Sequence, residues 1–600
     1  MRELLRTVRA LLRLLPRGSG RFVVLYSLGQ ALLAVLDVLA LGLLALLLPV
    51  ALDPARPLTF PLPLVGDRLE PATLLALVVV VSLLLAAKSL ASLVLVRWGV
   101  VRFADHEVDV ADRLVRAYLS ASWSYRLRAS SARAVRTVDE SLNQTFNGFL
   151  MPFTSLVAEV FGLVAVGVVV VVAAWQTAVV AALYFAVVAF VLYAVIARRA
   201  AAAGRTATGA SVQTVRLVQE SFAATKEIAL RARGEQLAGV ARQVRARSAR
   251  ARGLAFFYSV GPRFVLEAAL LGGFLVVGGA AVLTQGVTQA ASSIGLFAVA
   301  GFRVVPALTR LQSVFATMHA HQPDAQEVLG ALAETGAAAG PVPPLGGGDD
   351  AAQLPAGPVE VRLEGVRFSY PGAPAPALAD VDLVVPAGAR VALVGRSGSG
   401  KSTLVDLVLG LHEPTGGRLL VGGRPLGEVL HAWRRRVGYV PQDVALLDAD
   451  VARNVALSWR DEDVDLERVR QVLEAAQLTD VVAGLPEGVR SQVGERGLRL
   501  SGGQRQRLGI ARALYSDPSV LVLDEATSAL DTATEAAVSQ TVAALRGVTV
   551  LVVAHRLATV RDCDAVVVLD AGRVRAVGTF EEVVAAVPDF AQQVELSRVS

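Results

Sequence analysis

Along the first half of the chain, long apolar runs alternate with polar stretches at a spacing that suits a bilayer. A helix needs about 20 mostly apolar residues to cross hydrocarbon. Such runs fall at 22–50, 73–96, 149–173, 177–196, 262–283 and 290–309, and predict six spans. The third and fourth are separated only by Trp175, Gln176 and Thr177, which predicts a tight hairpin. Ahead of the first run, "MRELLRTVRALLRLLPR" mixes arginines and leucines at helical period. It reads as an amphipathic helix over 1–21 lying on the membrane surface, because the apolar run behind it is too long for a signal core. The polar stretches 99–148 and 197–253 carry helical rather than turn-rich patterning. They are predicted to form helical hairpins that prolong the spans by about 35 Å, at ~1.5 Å per residue.

Past residue 331 the pattern changes. "LAETGAAAGPVPPLGGGDDAAQLPAGP" (332–358) is rich in Gly, Ala and Pro and reads as a linker. From 359 to 600, short β-branched runs such as "VEVRLEGVRF", "RVALVG", "SVLVLDE" and "TVLVVAH" alternate with helical patterns, the layout of an α/β domain. The predicted organisation is a surface helix over 1–21, a six-span α-helical domain over 22–331, a linker and a soluble α/β domain.

Composition and charge sharpen this picture. The chain is 54% hydrophobic and carries a formal net charge of +6. Its basic residues are placed asymmetrically: six arginines in 1–21, and twelve basic against three acidic residues in 197–253. The segment 99–148 holds seven basic and six acidic residues, whereas 51–72 has two arginines and the remaining loops none. The positive-inside rule puts the first group in the cytoplasm. Both termini and the soluble domain then share that side, in a multi-pass protein of the bacterial cytoplasmic membrane. The excess charge is topological, so a nucleic-acid partner loses its support. The single Cys563 precludes an intrachain disulfide and fits a reducing compartment. Of 58 basic residues only Lys88, Lys226 and Lys401 are lysines, which singles those three out.

One lysine stands in a phosphate-binding pattern. "VALVGRSGSGKST" (391–403) follows G-x-x-x-x-G-K-[ST] between an apolar strand and a helical run. Backbone N–H groups over Gly395, Ser397, Gly398 and Gly400, and the helix start at Thr403, would cradle the phosphates of ATP. Lys401 would reach the β/γ-phosphates and Ser402 would give an oxygen to Mg²⁺. Its partner is "SVLVLDEATSALD" (519–531): a buried strand sets Asp524 at its carboxyl end to hold Mg²⁺ or its water, and Glu525 to orient or deprotonate the attacking water.

"LSGGQRQR" (500–507) resembles the signature of the ATP-binding-cassette (ABC) proteins, and other cassette elements occur in the family's order. The resemblance implies that Tyr370 in "FSYPG" stacks on adenine and that Gln442 in "YVPQD" reaches Mg²⁺ and senses the membrane domain. It makes Asp531 the D-loop aspartate and His555 in "VVAHR" the switch histidine at the γ-phosphate. It further implies that Ser501, Gly502, Gly503 and Gln504 of one cassette close over ATP held by another. One cassette per chain therefore implies a homodimer, or a heterodimer with a related chain. One departure is Gln492 in "SQVGERG", where exporters carry Glu, at a position that meets the membrane-domain loops.

A six-span domain fused ahead of one cassette resembles ABC exporter half-transporters. Stretches such as "YRLRASSARAVRTVDESLN" (125–143), "YSVGPRFVLEAA" (258–269) and "IGLFAVAGFRVVPALTRLQ" (294–312) resemble the flippases of polyprenyl-pyrophosphate-linked oligosaccharides. By that resemblance Arg263, Arg303 and Arg310, with Lys88, form a cationic belt for the pyrophosphate, and arginine forks suit its oxygens. Glu267 is placed to pair with Arg263 at i,i+4, and Asp37 and Glu159, also intramembrane, are candidates to pair with these cations. A general lipid or multidrug exporter is the alternative. The external helix of those flippases meets five prolines here, in "LDPARPLTFPLPLVGDRLEPAT" (52–73), and is not expected as a regular helix.

Overall fold

The computed structural model describes residues 2–16, 18–52, 71–173, 175–285, 287–338, 354–494, 497, 499–525, 545, 547–554 and 557–599. Two compact units emerge: the first comprises 1–119 with 129–338, and the second 120–128 with 339–600.

The first unit is helical. Its long helices are Ser19–Leu52, Pro71–Ser120, Met151–Ala173, Trp175–Ala223, Pro262–Gln285 and Val287–Ala337, each containing one predicted span, with Gly234–Val260 beside them. Five segments among the described residues are long and apolar enough to cross a membrane. The sixth predicted span, 290–309, belongs to Val287–Ala337, and most of its side chains lie outside the described residues. The Pro-rich stretch 53–70 is also outside them. The polar stretches are helical as expected: Pro71–Ser120, Trp175–Ala223 and Gly234–Val260 run far past their apolar segments. Two features differ from expectation. The Val287–Ala337 helix enters the stretch read as linker, because Ala331, Leu332, Ala333 and Glu334 favour helix and the Gly/Pro-rich sequence begins only later. The N-terminal helix Arg2–Leu14 buries Leu4, Val8 and Leu11 against protein, in a cluster with Tyr26, Phe103, Phe146, Met318 and Val328. An apolar stripe at 3.6-residue period suits a protein groove as well as a lipid surface, so the sequence alone does not separate the two.

The second unit layers two sheets. Strands β1 (Val361–Phe368), β2 (Leu378–Val385), β4 (Gly416–Val421) and β5 (Arg424–Pro425) form an antiparallel sheet in the order β2-β1-β4-β5. The other sheet contains β3 (Arg390–Val394), β6 (Val437–Val440), β7 (Val520–Asp524), β8 (Thr549–Val553), β9 (Ala565–Asp570) and β10 (Arg573–Gly578). Its order is β10-β9-β3-β8-β7-β6, parallel except at the β10 edge. Successive residues of β7 feed opposite cores: Leu521 and Leu523 one, Val520 and Val522 the other. That two-sided burial is why its sequence is a continuous apolar run rather than an alternating one. The carboxyl ends of β3 and β7, neighbours across β8, carry the phosphate-loop start and the acidic pair.

Candidate active site

The loop after β3 is shaped by its glycines. Gly395 has φ +155°, and a Cβ there would stand 2.2 Å from the Leu569 carbonyl oxygen. Gly400 has φ +103° and caps the Lys401–Val408 helix, with a Cβ position 2.8 Å from the Ala377 carbonyl oxygen. Both positions need glycine for conformation and for space. Gly398, at φ +79°, borders open space, as a loop that receives a ligand requires. Within this cradle Lys401 donates from Nζ to the carbonyls of Gly395 (2.7 Å) and Arg396 (3.0 Å). Burial pushes its pKa down while Glu525 and Asp524 pull it up. Ser399 Oγ is buried with no hydrogen-bond partner among the described residues. An open glycine cradle, a lysine hydrogen-bonded to backbone carbonyls and a buried hydroxyl without a partner among the described residues together fit a phosphate group.

The acidic side is assembled as well. Gln442 Nε2 donates to Glu525 Oε2 at 2.9 Å, and Tyr439 Oη donates to Asp524 Oδ2 at 3.3 Å. Glu525 sits at φ +50°, the left-handed region that a side chain beyond glycine seldom adopts. It is held there from two sides: its N–H donates to the Val553 carbonyl (3.1 Å), and its own carbonyl accepts from Gln506 Nε2 (3.4 Å). Gln506 also donates to the Gln442 carbonyl at 3.5 Å. The signature helix Gly502–Tyr515 thereby braces the strand end that carries the candidate base. Its N-cap is Ser501, whose Oγ accepts from the Gln504 N–H while the Gln504 side chain accepts from the Ser501 N–H, closing a capping box. Gly502 and Gly503 form the first turn, and among the described residues none of these four bonds to the loop 395–403 of its own chain.

Tyr370 is half-buried, edge-on to Phe368 and His412, and its hydroxyl lies 3.2 Å from Thr403 Oγ1. Ser397 and Ser402 are exposed at the loop, Asp531 and His555 lie outside the described residues, and the side chain of Gln492 is exposed.

Sequence reasoning missed a docked element. The short helix Trp123–Arg128 belongs to the second unit although it is encoded between two predicted spans. Trp123 hydrogen-bonds Asp406, five residues after Lys401 in the same helical segment, and Ser124 Oγ lies 3.3 Å from His412 Nδ1. His412 is itself buried against the Phe368 ring, at 4.7 Å between centroids. Burial, with Asp524 nearby, pushes the Asp406 carboxyl up to about 6. The only available signal was compositional: a Trp in an otherwise polar stretch.

The candidate substrate cations lie in the first unit with carboxylate partners. Arg263 Nε meets Glu267 at 2.7 Å, Lys88 Nζ meets Asp37 at 3.2 Å, and Arg310 Nε meets Glu159 at 2.6 Å. The last two pairs share a cavity of about 370 Å³ with Gln30 and Ser92. The Arg303 side chain lies outside the described residues.

Comparison with known proteins now adds to this geometry. Residues 378–528 match the family model described as ABC transporter. An ATP-dependent lipid A-core flippase of Cupriavidus pinatubonensis is 49% identical over 249 residues, covering 41% of this chain and 42% of that protein. The sophorolipid transporter of Starmerella bombicola is 39% identical over 250 residues, covering 40% of this chain and 19% of that protein. The chain thus spans 42% or less of the length of these curated relatives. Over nearly its whole length the fold is that of a bacterial Atm1-family ABC exporter solved with ATP bound, with TM-score 0.72, 22% identity, and coverage of 95% of this chain and 97% of that one.

Proposed function

Because the chain carries an ABC transporter cassette behind a helical domain with the exporter fold, we propose that it is an ATP-hydrolysing membrane exporter of a lipid-type amphiphile, working as a dimer. The observation that carries this reading is the convergence of Lys401, Asp524 and the Gln442–Glu525 pair at the carboxyl edge of one sheet. In this reading Lys401 exchanges its backbone carbonyls for phosphate oxygens when ATP enters. Ser402, Gln442 and Asp524 would hold Mg²⁺, which neutralises charge on the β/γ-phosphates. Glu525 then leaves Gln442 to orient the attacking water and take its proton. Ser501, Gly502 and Gly503 of a second chain close over the nucleotide, with Asp531 and His555 completing the composite site. The Trp123–Arg128 helix, bonded to the phosphate-loop helix through Asp406, couples that closure to the helical domain. The protein then resides in the bacterial cytoplasmic membrane with the cassette in the cytoplasm.

The favoured cargo is a polyprenyl-pyrophosphate-linked oligosaccharide, with Arg263, Arg303, Arg310 and Lys88 contacting the pyrophosphate. Three of these cations already have carboxylate partners, so an incoming anion has to displace them. That favours keeping a second reading, a general lipid or multidrug exporter with a charge-balanced cavity.

Proteoliposomes test both. ATP-driven flipping of a polyprenyl-pyrophosphate oligosaccharide is compared with that of a neutral fluorescent lipid in wild type, Glu525→Gln and Arg303→Ala. Loss of all transport in Glu525→Gln with ATP binding retained supports the hydrolytic cycle, and transport persisting there refutes it. Selective flipping of the pyrophosphate lipid, lost in Arg303→Ala, supports the glycan cargo. Equal flipping of both lipids in both forms leaves the general exporter.

A further inference from the structure

Among the described residues Lys88, Arg263 and Arg310 are paired with carboxylates; a second set of cations, just outside the spans, is not. A groove of about 870 Å³ runs between the Trp175–Ala223 and Gly234–Val260 helices. Arg199 faces it from the first helix, and Arg242, Arg247 and Arg250 from the second. Among the described residues no carboxylate lines it, and none of the four arginines has an acidic partner within 4.0 Å. Elsewhere in the same unit Arg116, Arg136, Arg216, Arg263 and Arg310 have one, whereas Arg205, Arg245 and Arg252, on the same two helices, have none among the described residues; the groove differs in gathering four arginines on one cavity. All four are exposed, and like charges gathered on one cavity raise the local positive potential, which favours an anion there.

The placement on each helix is regular. Positions 242, 246, 250, 254 and 258 follow one another at i+4, so Arg242 and Arg250 share a stripe with Leu254 and Tyr258. Four alanines, Ala202, Ala203, Ala246 and Ala251, line the groove beside Thr206 and Gln243 and leave room for a ligand of headgroup size between the two backbones. Depth follows from the predicted spans: Arg199 lies three residues beyond the run 177–196, and Tyr258 four residues before the run 262–283. The mouth of the groove is therefore at the level of the cytoplasmic lipid headgroups, and Arg242, sixteen residues from Tyr258, is about 24 Å further from the membrane at ~1.5 Å per residue. Leu254 in the groove lining and Phe257 one position from Tyr258 are 50% and 61% exposed. An apolar rim at the membrane surface leading into an arginine-lined slot has the polarity of an amphiphile with a phosphate head.

We infer that the groove between the Trp175–Ala223 and Gly234–Val260 helices binds a phosphate-bearing lipid headgroup from the cytoplasmic leaflet, with Arg199 and Arg250, the two arginines nearest the mouth, as its ligands. The inference rests on the reading of the first unit as membrane-spanning, and on no particular exported cargo. Guanidinium forks match phosphate oxygens bidentately, and arginine surrenders its hydration more readily than lysine does. The site gives the chain a place to hold an anionic head before any of the intramembrane ion pairs opens.

The test uses the full chain in an uncharged detergent. Binding of dioctanoyl phosphatidic acid is titrated alongside dioctanoyl phosphatidylcholine, with inorganic pyrophosphate as competitor. Arg199→Gln with Arg250→Gln removes one arginine from each wall. Arg245→Gln with Arg252→Gln removes the same charge from the same hairpin at positions that do not line the groove. Saturable binding of phosphatidic acid, weakened at least tenfold by the groove pair and less than twofold by the control pair, supports the site. Displacement by pyrophosphate then identifies the phosphate alone as the ligand, and no displacement identifies the phosphate joined to its lipid. Equal weakening by both pairs, or no saturable binding, overturns the proposal and leaves a diffuse positive-inside surface. Thermal unfolding is followed for each variant. Arg199→Lys with Arg250→Lys, which keeps the charge and loses the guanidinium fork, serves as the groove pair should the first fail to fold. ATP-driven flipping is scored separately in proteoliposomes: its absence beside intact, groove-dependent binding removes the exporter reading and leaves the site.

Discussion

Asp406→Asn isolates the junction between the docked Trp123–Arg128 helix and the phosphate-loop helix. Asp406 is 21% exposed, hydrogen-bonded by Trp123, 4.0 Å from His412 Nε2 and close to Asp524. Burial first, and then the Asp524 charge, move its carboxyl from 3.8 to about 6. The folded chain therefore holds this proton more tightly than the unfolded chain. The associated stability is complete below pH 3.8 and is lost as pH rises through about 6. Above that window the ionised group costs roughly 3 kcal/mol, at ~1.4 kcal/mol per tenfold change in proton affinity. Asparagine keeps an oxygen for Trp123 and removes the charge. The assay is thermal unfolding of the nucleotide-free full chain in detergent with a chelator, at pH 5 and pH 8. With about 2–4 °C per kcal/mol for a unit of this size, the variant should melt about 6–12 °C above wild type at pH 8, and gain about half as much at pH 5. A variant destabilised equally at both pH values would refute the reasoning, because the carboxylate would then be stabilising Trp123 as an anion.

Three further outcomes follow from other parts of the molecule. Gly400→Ala, which drives a Cβ to 2.8 Å from the Ala377 carbonyl at φ +103°, should weaken ATP binding by about 100-fold or more, roughly 3 kcal/mol, in calorimetry on the full chain. Unchanged affinity would mean that the loop relaxes freely. Arg136 is 4% exposed and bonds Asp324 at 2.7 Å and Glu327 at 2.5 Å, so Arg136→Ala removes the buried cation between two carboxylates, leaving Asp324 with Thr208 and His321 and Glu327 with Ser141, and should cost about 3 kcal/mol, read as a loss of several degrees in the melting of the first unit. The Cys563 thiol, pushed up to about 11 chiefly by burial, should alkylate with iodoacetamide at neutral pH about 100-fold more slowly in the native chain than in urea, as followed by mass spectrometry.

The parts of the site that could be read from sequence are those built within a few consecutive residues. The glycines, Lys401 and the β7 run ending in Asp524 each declare their conformation locally, through positive φ, loop length and two-sided burial. Contacts between distant segments left no such mark. The Ser124–His412 contact spans 288 positions, and neither residue type in isolation points to the other. The same holds for the Arg310–Glu159 and Lys88–Asp37 pairs, where composition gave the charges but not the partners. The N-terminal helix illustrates a different limit: its period fixed the buried face, while the choice between lipid and protein depended on Tyr26, Phe103 and Phe146 being brought beside it.

The discontinuity of the second unit has a consequence for how the chain is made. Residues 120–128 leave the ribosome well over two hundred positions before the strands they join. Bringing the ends of so long an intervening segment together costs little extra for its length, because the penalty grows only logarithmically. Order of synthesis is the stronger constraint. The cassette cannot reach its final packing around His412 and Asp406 until a peptide belonging to the growing helical domain has been presented to it. A cassette translated by itself would emerge with that cleft bare, whereas one translated behind its own helices meets the missing piece already waiting.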